Sequence, residues 1–199
     1  MPIGDYALLS DCRTATLVSR TGSVDRLCFP RFDGPAVFTR LLDDDAGHFA
    51  VRVPGAATSR RYLDQTMALE TTFRSAGGTA VLADALAVGR NDRGHELGAG
   101  SPRVLLRRVA VHRRRGRGGG QHAPRPEYGL VHPLLEPVDG GTAARGGADR
   151  LLLSAPAGFV VDGATAGARL RLRAGESAGF ALHHAWAIDQ AARRQPAAG

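Results

Sequence analysis

Short runs of alternating apolar and polar residues dominate the chain, and turn residues separate them. Near the start, residues 16–19 and 24–29 flank Gly22, which can take the positive φ of a hairpin turn. Comparable runs follow at residues 48–53, 69–74, 79–86, 103–111, 151–154, 159–161, 168–173 and 179–187. In the 168–173 run, arginines alternate with leucines, as a half-buried strand requires. The pattern predicts an all-β protein.

The spacing of the turns predicts how these strands are arranged. Glycine-containing turns at 76–78, 139–141 and 162–163 leave short segments between them and little room for helices. One short helix is predicted at residues 35–42, where a proline in the first turn precedes an apolar face. We therefore expect an antiparallel β-sandwich with few short helices over residues 1–187.

Two segments break the alternating pattern. Residues 112–122 contain arginine, glycine and histidine but no apolar residue to bury, so we expect an irregular insertion there. Residues 188–199, rich in alanine, arginine and glutamine, predict a disordered tail. A one-base shift of suitable codons for residues 117–120 would encode alternating glutamate and valine. Compensating frame changes around 112–122 are therefore one hypothesis for the insertion.

The net charge of +7 comes from one part of the chain. Residues 103–117 hold seven arginines and no acidic residue, and outside this run 19 basic and 19 acidic residues balance. With the glycines at 116–120 the run resembles an RGG-like nucleic-acid-binding segment, but it has no aromatic residue for base stacking. A nucleic acid is therefore the less favoured partner.

The sequence offers few candidates for catalysis or metal binding. His183 and His184 are adjacent, so in a strand they point to opposite faces, one into the core and one to the surface. Cys12 and Cys28 lack zinc-ligand spacing, and we expect two reduced, buried thiols. The sequence does not place a glycine-rich phosphate-binding loop between a predicted strand and a helix. We expect no cofactor and no metal.

Membrane and secretory signals are also missing from the sequence. No apolar run approaches the roughly 18 residues that a membrane-spanning helix needs. Residues 1–5 lack the basic and apolar regions of a secretory signal, and two cysteines are too few for a disulfide framework. We expect a cytoplasmic protein without a membrane partner.

Three N-terminal segments stand in a specific order and spacing. They are residues 3–15 (IGDYALLSDCRTA), 22–25 (GSVD) and 27–35 (LCFPRFDGP). Together they resemble the opening of glycoside hydrolase family 15 proteins of the trehalase and glucoamylase-like kind. The resemblance continues at residues 61–71 and resumes from 123–129 (APRPEYG) to about Trp186. It covers most of the chain and leaves out the arginine run.

The resemblance implies a non-catalytic N-terminal β-sandwich, which in this family precedes a helical (α/α)6 barrel. The barrel carries the general acid and base that hydrolyse an α-glucosidic bond with inversion, and no position of this sequence matches those carboxylates. The 27–35 loop would lie towards the barrel, so the resemblance implies Arg31, Phe32 and Asp33 as accessory residues near an α-glucoside. Arg26 and Gly34 depart from the family, which usually has Trp and often has Ser at these positions.

These observations predict a supporting domain of a hydrolase, inactive alone, whose partner is a catalytic barrel outside these residues. A free-standing carbohydrate-binding or assembly module is the alternative. An Arg/Gly-rich nucleic-acid-binding protein is less favoured than either.

Overall fold

A computed structural model describes residues 2–89, 94–114, 116–147, 149–156 and 158–186. In these residues the helical elements are two single 3-10 turns, Ile3–Asp5 and Gly94–Glu96. The strands are β1 (Ala7–Ser10), β2 (Ala15–Val18), β3 (Ser23–Cys28), β4 (Ala36–Phe38), β5 (His48–Arg52), β6 (Ala57–Tyr62), β7 (Leu69–Ser75), β8 (Gly78–Leu86), β9 (Val104–Arg114), β10 (Gly116–Ala123), β11 (Leu134–Val138), β12 (Gly141–Gly146), β13 (Asp149–Ser154), β14 (Val160–Asp162), β15 (Thr165–Leu172) and β16 (Ser177–Trp186).

The strands form two antiparallel sheets of eight strands each. Sheet A has the order β1-β2-β3-β5-β10-β15-β14, with β4 paired to β3. Sheet B has the order β11-β12-β13-β16-β9-β8-β7-β6. One apolar core lies between them, and it takes alternate residues from both sheets, as in the contact of Phe49 with Phe180 at 5.9 Å between ring centroids. The predicted all-β sandwich is confirmed.

The predicted hairpin near the start is present, but the predicted helix at 35–42 is wrong. Gly22 has φ +77°, and a β-carbon there would lie 2.7 Å from the Val51 carbonyl oxygen, so the turn requires glycine. Residues Ala36–Phe38 form β4 and pair with β3, and all three are buried. Burial on both faces explains the apolar run that resembled a helix face.

The prediction of an irregular insertion at 112–122 is also wrong for the described residues. Residues 112–114 end β9, and 116–122 belong to β10, so the chain passes from sheet B to sheet A between them. The backbone of β10 pairs with β5 on one side and β15 on the other. This segment has almost no apolar side chains, and backbone hydrogen bonds to both neighbouring strands therefore keep it in a strand.

Other sequence-based expectations have mixed outcomes. His184 is buried and His183 is partly exposed, as predicted. Cys28 is a buried thiol as expected, whereas Cys12 is exposed because it lies in the β1–β2 turn with φ +66°. The tail predicted at 188–199 lies outside the described residues.

A buried arginine, paired with an aspartate within sheet B, joins the two sheets in the middle of the core. Arg107 on β9 donates from Nε to Asp84 Oδ1 at 2.8 Å and from Nη2 to Asp84 Oδ2 at 3.2 Å. It also reaches sheet A, where Nη1 donates to the Phe49 carbonyl at 2.5 Å and Nη2 to the Gly22 carbonyl at 2.9 Å. Both side chains are fully buried. Arg107 is thus a core residue that connects the sheets, although it belongs to the arginine run.

We expect Gly119→Val to stabilise the domain by about 0.5–1 kcal/mol, because glycine in a strand interior has excess backbone freedom when unfolded. A β-carbon at Gly119 would meet only the Ala168 carbonyl oxygen, at an ordinary 3.6 Å. Gly118→Val is the matched control, since its β-carbon would lie 2.9 Å from the Arg52 carbonyl oxygen. Urea unfolding followed by circular dichroism measures both, and equal effects would contradict this geometry of β10.

Candidate functional site at the loop end

The residues that the sequence singled out lie at one end of the sandwich, which we call the loop end. It carries the connections 11–14, 29–35, 63–68, 94–103 and 124–133. β16 also runs towards this end, because Ser177 pairs with Ala110 and His183 pairs with Val104. β16 therefore brings Trp186 to the end of the sandwich that carries the 29–35 loop.

Arg31, Phe32 and Asp33 are exposed on the β3–β4 loop. Arg31 donates from Nε to Asp33 Oδ1 at 2.9 Å and from Nη2 to Asp33 Oδ2 at 3.0 Å. These hydrogen bonds lower the pKa of Asp33 and raise the pKa of Arg31 from their ordinary values. Asp33 is therefore held as a carboxylate, which suits accepting hydrogen bonds and does not suit donating a proton as a general acid.

Phe32 is the exposed aromatic residue of this loop, with 66% of its surface accessible. Its backbone N–H donates to the Arg13 carbonyl at 3.0 Å, and the Gly34 N–H donates to the Arg31 carbonyl at 3.1 Å. Thr14 Oγ1 donates to the Cys28 carbonyl, just before the loop begins. The 29–35 loop is thus fixed to the β1–β2 turn, and the Phe32 ring is exposed on a loop with an ordered backbone.

Asp11 stabilises the β1–β2 turn with hydrogen bonds. It is 3% exposed, and its Oδ1 accepts the backbone N–H groups of Arg13 at 2.9 Å and Thr14 at 2.6 Å. Its Oδ2 accepts the hydroxyl of Ser101 from the sheet B side. Asp11 is thus a structural residue that links the connections of the two sheets at the loop end.

Tyr128 stands beside this loop and was not among the residues chosen from the sequence. It is half exposed, and its hydroxyl lies 3.5 Å from the Gly34 carbonyl oxygen. Both Glu127 and Tyr128 have left-handed backbones, with φ +55° and +59°. Two successive non-glycine residues in this conformation are unusual and carry strain. The segment 123–129 contributed to the family resemblance, and this resemblance is the feature of the sequence that could have pointed to Tyr128.

Backbone strain is concentrated at the loop end. Five non-glycine residues of the described chain have positive φ, and all five lie in its connections: Cys12, Gln65, Arg103, Glu127 and Tyr128. Strained backbones persist where the surrounding structure holds them, and they are common at functional sites. The loop end is therefore the strongest candidate for a functional surface.

An apolar cavity lies elsewhere, on the outer face of sheet B. It measures about 600 Å³ and is lined mainly by small residues of β8 and β16, with Leu106 and Arg108 from β9. Its one acidic lining residue, Asp84, is bound to Arg107. The described lining therefore offers no pair of carboxylates for glycoside hydrolysis, which needs an acid and a base facing each other.

Two other features are absent from the described residues. None of their His, Cys, Asp and Glu side chains form a group of three that could hold a metal ion. None of the helices within the described ranges has the length and apolarity to span a membrane.

Comparison with known proteins assigns the family. The sequence profile of the family described as "Trehalase-like, N-terminal" matches residues 1–176. The chain belongs to the trehalase-like N-terminal family. This trehalase-like domain therefore includes both sheets up to the last turn before β16, and it contains the β10 segment that the sequence pattern had set apart.

Curated relatives of the trehalase-like domain are trehalases. The chain is 48% identical over 93 residues to the trehalase of Mycolicibacterium smegmatis, covering 44% of this chain and 14% of the relative. It is 45% identical over 91 residues to the trehalase of Mycobacterium tuberculosis, covering 45% of this chain and 13% of the relative. Trehalase 1 of Sulfolobus acidocaldarius is 33% identical over 130 residues, covering 64% of this chain and 20% of the relative. The chain therefore spans at most a fifth of the length of these relatives.

Proposed function

We propose that this trehalase-like domain is the non-catalytic N-terminal part of a glycoside hydrolase of family 15, of the trehalase or glucoamylase-like kind. In this proposal its loop end contacts a separate (α/α)6 barrel that hydrolyses an α-glucosidic bond. The observation that carries the proposal is the family match over residues 1–176 together with relatives that are trehalases of much greater length. The domain supports and orients the catalytic barrel.

Two features of the loop end suit contact with such a partner. Phe32, Tyr128 and Leu130 are exposed there at 66%, 50% and 83% of their surface. Exposed aromatic residues with fixed backbones are the usual anchors of protein interfaces. The Arg31–Asp33 pair beside Phe32 offers charged donors and acceptors to a partner or to an α-glucoside at the boundary.

The arginine run gives less support to a nucleic-acid-binding function. Arg107 is buried in the core, whereas its neighbour Arg108 faces outward from sheet B and bonds Ser177. After Arg114 the backbone crosses to sheet A. The adjacent Arg107 and Arg108 thus lie on opposite faces of sheet B, and they do not line one basic groove of the kind that binds single-stranded nucleic acids.

We also propose a cytoplasmic location, consistent with two cysteines that are both free thiols. Fractionation of the source cells would test it, with recovery in a membrane or secreted fraction as the contrary result.

A chimera tests the proposed function. The chain would replace the matched segment of the Mycolicibacterium smegmatis trehalase, and glucose release from trehalose would be measured. We expect the chimera to hydrolyse trehalose and the isolated 199-residue chain to release no glucose from trehalose or maltose. Turnover by the isolated chain would show that the domain is catalytic and would overturn the proposal.

Phe32→Ala in the chimera should lower trehalose hydrolysis about ten-fold, because removal of an aromatic interface anchor commonly costs more than 1 kcal/mol. Val160→Ala is the matched control. Val160 is 69% exposed, close to the value for Phe32, but lies on edge strand β14 of sheet A. Equal activity of the two variants would show that Phe32 does not contact the catalytic barrel.

A further inference from the structure

A second cavity, of about 440 Å³, lies on the outer surface of sheet A, towards the end opposite the loop end. Tyr6 and the β2–β3 turn border it on one side, and the β4–β5 connection borders it on the other. Asp25 of β3 forms its floor, and Arg52 lies at the end of β5. Polar and charged side chains make up most of this wall, in contrast to the apolar cavity on sheet B.

The floor of the cavity is a buried, ordered carboxylate. Asp25 is 5% exposed, and its Oδ2 accepts the Tyr6 hydroxyl at 3.0 Å while its Oδ1 accepts the Ser23 hydroxyl. Burial, followed by the charge of Asp25, raises the pKa of Tyr6 to about 12. Tyr6 therefore keeps its proton, and it continues to donate to Asp25 at every physiological pH. Each carboxylate oxygen retains a further lone pair for a ligand.

The two arginines of the wall have incomplete partners. Arg40 donates from Nε to Asp44 at a long 3.4 Å. Within the described chain, no side chain or carbonyl forms a hydrogen bond or ion pair with the Arg52 guanidinium. Burial, followed by the charge of Arg40, lowers the pKa of Arg52 from its ordinary value. The Arg52 guanidinium thus lies beside a second cation with its N–H groups available to a ligand.

We propose that this cavity binds a neutral polyhydroxyl ligand, a hexose or a small glucoside. Two arginines and two aspartates line it, so it carries no net charge and gives no advantage to an anion or a cation. The wall offers guanidinium donors and carboxylate acceptors, and a sugar hydroxyl group can both donate and accept hydrogen bonds. The volume lies within the range of small-molecule sites.

Hydrolysis at this site is not part of the proposal. The side chain of Asp44 is 92% exposed and Asp25 already accepts two hydroxyl hydrogen bonds, so the two do not form a facing acid and base. The cavity is also on a different surface from the loop end. Ligand binding in this cavity can therefore be present or absent whatever the outcome of the chimera experiment.

Titration of the full chain with glucose and with trehalose tests the proposal, using calorimetry or amide chemical shifts. We expect saturable binding of at least one sugar, with little change when sodium chloride is added, since a neutral ligand is not screened. Arg52→Met should weaken that binding about ten-fold or more, because two charge-assisted hydrogen bonds are lost. Arg52 is exposed, so this variant should fold normally.

Arg169→Met is the matched control. Arg169 and Arg52 flank Gly119 on the same face of sheet A, but Arg169 lies outside this cavity. Equal sugar affinity in the Arg52 variant and the unaltered chain would overturn the proposal, as would the absence of any saturable sugar binding. Binding of sulfate in place of sugar, weakened by salt and by the Arg52 substitution, would identify an anion site and would also overturn it.

Discussion

Replacing Arg107 by methionine should destabilise the domain by about 3–5 kcal/mol, the largest single-residue effect that the structure predicts. The substitution leaves the buried Asp84 carboxylate without its cation and leaves the Gly22 and Phe49 carbonyls without their side-chain donor. It also removes the stacking of the guanidinium over the Phe49 ring, 4.8 Å from the ring centroid. Because small domains have only about 5–15 kcal/mol of stability, this loss is a large fraction of the total.

Urea unfolding of Arg107→Met and Arg108→Met provides the measurement. Arg108 is the adjacent residue on β9, and it bonds only the exposed Ser177 hydroxyl among described partners, so its loss should change stability by less than about 0.5 kcal/mol. Asp84→Asn is a milder second variant that leaves the cation in place. Similar stabilities for the Arg107 and Arg108 variants would show that Arg107 does not hold the sheets together.

His122→Leu should stabilise the domain, and the gain should increase as the pH falls. His122 is fully buried on β10 between Phe38 and Phe49, with ring centroids at 5.9 and 5.5 Å. Neither ring nitrogen has a hydrogen-bond partner among the described residues. A buried polar group without a partner costs about 1–3 kcal/mol, so leucine should add that amount at neutral pH.

The pH dependence follows from the pKa of His122, which burial and then the neighbouring His48 lower from 6.5 to about 3. Between these two values the unfolded chain binds a proton at this residue and the folded chain does not. Stability from this residue is therefore lost as pH falls from 6.5 towards 3, with a slope of up to about 1.4 kcal/mol per pH unit. His122→Leu removes this slope.

Unfolding free energies of both proteins between about pH 7 and pH 4 would test this prediction. The pKa of His48 is also lowered by burial, so a smaller slope should remain in the variant. His132→Leu is the matched control, because the His132 side chain is exposed and its replacement measures the effect of losing a histidine outside the core. A slope that is the same with and without His122 would contradict a buried, neutral histidine at this position.

The alternation of apolar and polar residues predicted most strands. In β9 this alternation also indicates which residues face the core, which the residue types of β9 alone do not. Leu105, Val109 and Val111 face the core, and Arg107 lies on the same face by period two. The buried arginine could therefore have been located from spacing, although its charge suggested solvent. The hydrogen-bond partners of Arg107 could not have been located from spacing, because Gly22, Phe49 and Asp84 come from three other strands or turns.

The loop end and the polar cavity were harder to predict for the same reason. Tyr128 lies beside the loop that carries Phe32 only because β3 and β10 both run towards the loop end. In the polar cavity, Tyr6, Asp25 and Arg52 come from three different elements. Sequence spacing reports which face of a strand a residue occupies, but the order of strands in a sheet decides which faces meet.

β10 was missed because its residues carry almost no pattern. Gly118 lines a small cavity of about 20 Å³ between the sheets, and a β-carbon at Gly120 would approach the Phe159 and Phe180 rings. Both positions therefore face the core, and they are the two positions at which the frame-change hypothesis places valine. The hypothesis remains a prediction, which the gene sequence around these codons would test.

The glycine-rich strand β10 lies between two groups of strands in sheet A, which we call two plates. β1, β2, β3 and β5 form one plate, β15 and β14 form the other, and the backbone hydrogen bonds of β10 join them. Three successive glycines at 118–120 supply no side chains to lock the plates together or to shield those hydrogen bonds. The lowest-energy opening of the domain should therefore run along β10 as a seam, with β15 and β14 separating from the rest while sheet B stays intact.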